Sequence, residues 1–207
     1  MSRNQHSRPQ EQGGTGKRRQ RRRGKLDQRI RRTHERLGMA LVDLIQEKPI
    51  DAVTVQEVLD RASVGRSTFY LHFRDKNDLL LSQFEKFLET MGTVLSDHME
   101  ESHRVAPVAE LFAHIGNQKK LYRALADSDR LKDFFDLAQG YFARGIARRL
   151  IDSGRLSNFP QRELDARASA LAGSLLSLLR WWLDRGAKET PGDMDKLFHR
   201  MVWNGLQ

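Results

Sequence analysis

The chain has 207 residues, 39% of them hydrophobic, enough for a sizeable core and too apolar for a wholly disordered polymer. It has no cysteine, which excludes disulfides, thiolate chemistry and cysteine-ligated zinc or iron–sulfur centres, and is compatible with a reducing, cytoplasmic setting. The net charge of +9 sits almost wholly in residues 1–25, which hold nine basic side chains against one acidic.

This leader is rich in Arg, Gln, Gly and Ser and is expected to be unfolded, because it has almost nothing apolar to bury. Its densest part is Lys17-Arg18-Arg19-Gln20-Arg21-Arg22-Arg23-Gly24-Lys25. Such an arm binds phosphate backbones by releasing counterions and can enter a minor groove; the plainer reading is a solvated tail. It lacks the apolar run of a secretory signal, so export by that route is not expected. The longest nearly apolar stretch, 170–179, has ten residues and two serines. A membrane span needs roughly 20 apolar residues, so no membrane partner is expected.

Beyond the leader the pattern is helical throughout, and no stretch alternates as a strand would. Ile30, Leu37, Leu41, Leu44 and Ile45 mark a helix over about 27–48, stopped by Pro49. Thr54-Val55-Gln56-Glu57 is a capping box opening a short helix with Val55, Val58, Leu59 and Ala62 inward. Ser63-Val64-Gly65 breaks it, and a second short helix follows over 66–73. Asp75 caps a long helix with the stripe Leu80, Phe84, Phe87, Leu88, Met91 and Leu95. Further helices are predicted at Pro107 onward, at about 118–126, at 129–152 up to Gly154, at 161–185 after Pro160 and before Gly186, and at 193–206. The expected fold is all-α, with about nine helices. A leader (1–25) precedes a head (26–90), whose long helix from 75 links it to a helical body (91–207).

Two short helices joined by a turn, with a third in front, form a helix-turn-helix. The first helix of the pair braces on the DNA backbone and the second presents side chains to base edges. Here the second offers Arg66, Ser67, Thr68, Tyr70 and Leu71, while Phe69 and Phe73 bury together. Arg66 can donate a bidentate pair to guanine, and Leu71 can touch a thymine methyl. The hydroxyls of Thr68 and Tyr70 can reach phosphates or bases, and Lys76 lies in the first turn of the next helix, where a phosphate is favoured.

Residues 52–80 read AVTVQEVLDRASVGRSTFYLHFRDKNDLL. This resembles the DNA-binding head of the TetR family of transcriptional regulators. The telling residues are Thr54, Ala62, Val64-Gly65, Ser67-Thr68-Phe69-Tyr70, His72-Phe73, Asp75-Lys76 and Asp78-Leu79-Leu80. The resemblance implies a homodimer on a palindromic double-stranded operator, acting as a repressor released by a small-molecule effector. It also implies phosphate contacts from Thr54, Thr68, Tyr70, His72 and Lys76, and base contacts from Arg66, Ser67 and Leu71. The alternative function is non-specific binding of nucleic acid or an anionic surface, driven by the leader.

The body carries no motif of comparable strength. Phe112, Tyr122, Phe134, Phe135, Tyr141, Phe142, Trp181 and Trp182 are candidates to line an effector cavity, although aromatics at helical spacing are mostly core. The 161–185 helix has a broad apolar face with the small residues Ala170, Ala172, Gly173 and Ser174. Leu171, Leu175 and Leu178 of this helix, with Phe198, Met201 and Val202 of the last, are the candidate dimer interface; an intramolecular bundle is the rival. His98 and His103 are five apart, whereas ligands on one helix face prefer four, so no metal and no cofactor are expected. There is no nucleophile motif and no phosphate-binding glycine loop, so no enzyme is expected.

Overall fold

The computed structural model describes residues 14–96, 104–128, 130–153 and 159–205. Among these there are nine α-helices and no strand. The head holds α1 (Gly14–Glu47), a 3₁₀ turn (Ile50–Ala52), α2 (Val55–Ala62) and α3 (Arg66–His72), and α4 (Lys76–Ser96) leads into the body. The body holds α5 (Val108–Asn117), α6 (Lys119–Asp127), α7 (Leu131–Asp152), α8 (Gln161–Asp184) and α9 (Pro191–Gly205). His98, His103 and Gly154 lie outside the described residues, as do 1–13 of the leader.

The leader departs from expectation. Helix α1 begins at Gly14, so the basic stretch 14–25 is helical rather than unfolded. Arg, Lys and Gln are good helix formers, and extending a helix already anchored by packing needs no new nucleus. Among the α1 residues whose side chains are described, a buried stripe begins at Leu37, with Leu41, Leu44 and Ile45 each at most 4% exposed.

The punctuation of the head follows local chemistry. Pro49, which has no amide proton to give, ends α1, and the chain turns through 50–52. Thr54 caps α2: its hydroxyl accepts from the Glu57 amide while the Glu57 carboxylate accepts from the Thr54 amide. The left-handed residue of the turn is Ser63 (φ 48°), not Gly65, which sits extended at φ −70° as the cap of α3. Asp75 opens α4 by accepting from the amides of Asn77 (2.8 Å) and Asp78 (2.9 Å). Phe69 and Phe73 pack with ring centroids 5.7 Å apart against Val58, Leu59 and α1.

In the body α7 lies along α8, α5 packs on α9, and α4 packs on α7. Phe134 sits at the centre, 5.4 Å from Phe84 and 5.7 Å from Tyr122. Phe112 meets Trp182 at 4.9 Å, and Gly116 lets that indole approach, since a β-carbon there would come within 3.2 Å of it. One polar network pins α5 to α9. Arg104 donates to Glu110 (2.9 Å) and to Asp195 (2.9 Å), and His199 accepts from the Val105 amide (3.0 Å). Among the described residues no helix is long and apolar enough to cross a membrane.

Candidate nucleic-acid interface

Helix α3 has two sides. At 3.6 residues per turn, positions 66, 67, 70 and 71 fall within an arc of roughly 140°. These are the residues left in solvent: Arg66 and Ser67 are exposed, Tyr70 is 48% exposed and Leu71 is 78% exposed. The opposite side is the core pair, Phe69 and Phe73, at 0% and 5%. Thr68 and His72 lie between and are half-buried. A fully exposed leucine beside a half-exposed tyrosine and an arginine is a costly surface for a solvated helix, but a suitable one for base edges.

Arg66 is held loosely. Its guanidinium lies 5.4 Å from the centroid of the Tyr70 ring, and its nitrogens reach the Tyr70 hydroxyl at 3.4 Å and Gln56 Oε1 at 3.5 Å. These long contacts place the fork over the exposed face and leave it free to exchange them for a shorter charged pair. The hydroxyls of Ser67 and Thr68 have no protein partner among the described residues.

Two residues expected on phosphates are committed inside the head. The Lys76 ammonium donates to the carbonyls of Ile50 (2.7 Å), Asp51 (3.0 Å) and Val53 (2.6 Å), using all three of its protons. The turn at 50–52 aims these carbonyls at one point, and Lys76 is the cation that satisfies them. The Thr54 hydroxyl donates to Glu57 Oε2 at 2.9 Å and accepts from the Glu57 amide, so the cap leaves it no proton for a phosphate. His72 packs edge-on against His34 of α1, with ring centroids 4.8 Å apart. Burial, then the charges of His72 and Lys86, hold His34 below the ordinary histidine range.

Several contacts that orient the head carry no local signal in the sequence. Arg36 of α1 donates to the Ser63 carbonyl at 3.0 Å and closes the end of α2. Arg61 forks onto Glu47 at 2.6 and 3.0 Å. Lys48 pairs with Glu57, and Arg130 reaches Asp51 at 3.3 Å, tying the start of α7 to the turn at 50–52.

The candidate cavity residues do not converge. Phe112 and Trp182 are core, at 0% and 1% exposure, and Trp181 is a surface residue at 39%. Tyr141 and Phe142 border one pocket with Gly92 and Arg144, Tyr122 borders another, and Phe135 lies under the Arg180 guanidinium at 4.8 Å. The candidate interface also divides. Leu175, Phe198 and Val202 are each at most 1% exposed within the single chain, because the face of α8 and α9 they share packs inward. Leu171 and Leu178 are half-buried, while Met201 (48%), Trp181 and Leu197 point outward. No group of three or more potential metal ligands occurs among the described residues.

Residues 40–82 match the family model for bacterial regulatory proteins of the tetR family. An uncharacterized HTH-type transcriptional regulator of Bacillus subtilis (strain 168), YerO, is 29% identical over 89 residues, covering 43% of this chain and 31% of that protein. The chain spans only 18–31% of the length of the first curated relatives it matches. The putative TetR-family regulator from Syntrophomonas wolfei superposes with a TM-score of 0.62 at 23% identity, over 84% of this chain and 96% of that one. The TetR regulator from Streptococcus agalactiae 2603V gives a TM-score of 0.57 at 25% identity, over 85% and 96%.

Proposed function

We propose that this chain, whose residues 40–82 match the model of the tetR family of bacterial regulatory proteins, is a regulator of that family that reads operator DNA as a homodimer and is released from it by a small-molecule effector. The observation that carries the reading is the exposed face of α3. Arg66, Ser67, Tyr70 and Leu71 form one continuous surface of a bidentate donor, hydroxyls and a methyl-bearing side chain, with Phe69 and Phe73 anchoring the helix behind it. The head owes the pose of this helix to contacts rather than to α3 itself, which is only seven residues long. Arg36, Lys76 and the Phe69–Phe73 pair fix it.

The proposed dimer surface is the outer side of α8 and α9, where Trp181, Leu197 and Met201 are exposed beside Leu171 and Leu178. Two heads related by a two-fold axis would address half-sites about one helical turn of DNA, roughly 34 Å, or a multiple of that apart. The basic N-terminal end of α1 supplies a salt-sensitive attraction to the backbone. Repression rather than activation is the simplest mode for such a protein, because occupancy of a site by itself excludes other proteins.

Selection of binding sites from random duplex DNA in about 150 mM salt tests the reading, since backbone attraction is moderated there. Enrichment of an inverted repeat is the expected result. Binding without any enriched sequence would assign the DNA contact to the basic end of α1 and overturn the readout by α3.

A further inference from the structure

An open pocket of about 430 Å³ lies between α6, the start of α7 and the end of α8, within the size range of small-molecule sites. Lys119, Arg123, Lys132 and Arg180 stand around it against one carboxylate, Asp184. Arg123 and Lys132 form no ion pair with any described residue. Arg180 lies over the Phe135 ring, and Lys119 makes only a long contact, 3.4 Å, to the Ala187 carbonyl. Taken alone, four exposed cations are an ordinary solvated surface.

Tyr122 changes that. It lines the same pocket yet is 4% exposed, with its ring edge-on to Phe134. Its hydroxyl has no hydrogen-bond partner among the described residues. The ring is buried but the hydroxyl is not itself sealed from solvent, so the oxygen it would bond has to enter by the pocket. Burial pushes its ionisation far upward, so at neutral pH it is a donor. A donor with no acceptor, inside a ring of cations, is matched by an anionic oxygen. The remaining wall is apolar, from Leu131, Leu183 and Ala126, and suits a hydrocarbon body.

We infer that this pocket binds a small organic anion with an apolar body, its head group held by the Tyr122 hydroxyl with Arg123, Lys132 and Arg180, and that this anion is the effector. The effector role rests on the regulator reading above; the binding site does not. The route to the head is short. Helix α6 packs on α1, and Arg130, just beyond α6, pairs with Asp51 in the turn whose carbonyls Lys76 holds. An anion drawing α6 toward α8 therefore pulls on the segment that sets the pose of α3.

Calorimetric titration of the full chain with decanoate, decanol and decyltrimethylammonium, each below its aggregation concentration and without DNA, tests the site. Decanoate should bind once per chain, decanol at least about tenfold more weakly, and the cation not at all. Tyr122→Phe should weaken decanoate by roughly tenfold, and the double variant R123Q/K132Q by more. Melting temperatures should stay at the wild-type value, because none of these polar groups is bonded within the chain. Equal binding of decanol, or unchanged decanoate binding in Tyr122→Phe, would overturn the site. Decanoate should also lower the affinity of wild type for its selected operator, and Tyr122→Phe should need about tenfold more decanoate for the same effect. Decanoate binding with no effect on operator affinity would overturn the effector role. A failure of the DNA selection would strike the regulator reading alone, since the calorimetry contains no DNA.

Discussion

Lys76→Met separates two physical accounts of one residue. The ammonium lies 2.6–3.0 Å from three carbonyls at 50, 51 and 53. Methionine keeps the apolar stem and removes the donors. A hydrogen bond from a charged group contributes about 1.5–3 kcal/mol. Three bonds share one charge here, and water can replace the one to the exposed Asp51, so the total loss should be about 2–4 kcal/mol. In a chain of this size each kcal/mol shifts the melting temperature by roughly 2–4 °C, so a fall of roughly 5–15 °C is expected in thermal unfolding followed by circular dichroism. If the ammonium instead served a phosphate, the melting temperature would hold and the salt slope of DNA binding would fall by about 0.9. A melting temperature within about 1 °C of wild type, together with such a fall in slope, would refute the assignment of Lys76 to the turn.

Four other outcomes follow from the same reasoning. The hydrogen bond from Lys48, with those from Thr54, holds the Glu57 carboxyl at about 2 against a usual 4.5. Its contribution is therefore present above about pH 4.5 and is lost as the pH falls toward 2. Glu57→Gln should flatten the acid side of a plot of melting temperature against pH, and curves parallel to wild type would contradict this. Ser63→Gly should stabilise by up to about 1 kcal/mol in urea unfolding, because it relieves φ 48°, whereas Gly65→Ala should be neutral or slightly stabilising, since a β-carbon there meets only the Thr68 hydroxyl at 4.0 Å. Arg104→Met should cost roughly 1–3 kcal/mol by leaving Glu110 and Asp195 without their cation, and Arg104→Lys should recover only part because one ammonium cannot fork to both; full recovery would deny the forked geometry. Arg66→Ala should relax base preference at one operator position by about 1–3 kcal/mol, and an unaltered selected sequence would remove Arg66 from the readout.

The head was legible in the sequence because its signals are local. The capping box at Thr54–Glu57, the stop at Pro49 and the Asp75 cap each act within four residues of backbone, and the structure forms all three. The Phe69–Phe73 pair and the outward side of α3 follow from spacing alone. Helical spacing also gave the all-α class and the order of the elements. It placed Leu175, Phe198 and Val202 at an interface, although each is buried in its own chain. A periodic stripe says that a side is covered, not by what.

Tertiary structure decided what depends on groups far apart in the chain. Lys76 meets carbonyls more than twenty positions earlier, and Arg104 meets Asp195 across 91. The basic character of 14–25 was plain from composition, yet composition could not show that an anchored α1 would carry it as helix. Spacing made Tyr122 one of eight aromatic candidates for a cavity, and only the packed structure sets its unpartnered hydroxyl beside Arg123, Lys132 and Arg180. Backbone propensity and hydrophobic period act over a few residues, so the chain alone fixes helices and their polar and apolar sides. Charge pairing and hydrogen bonding act through space, so which polar group is satisfied, and which is left to a ligand, is settled only once the helices pack.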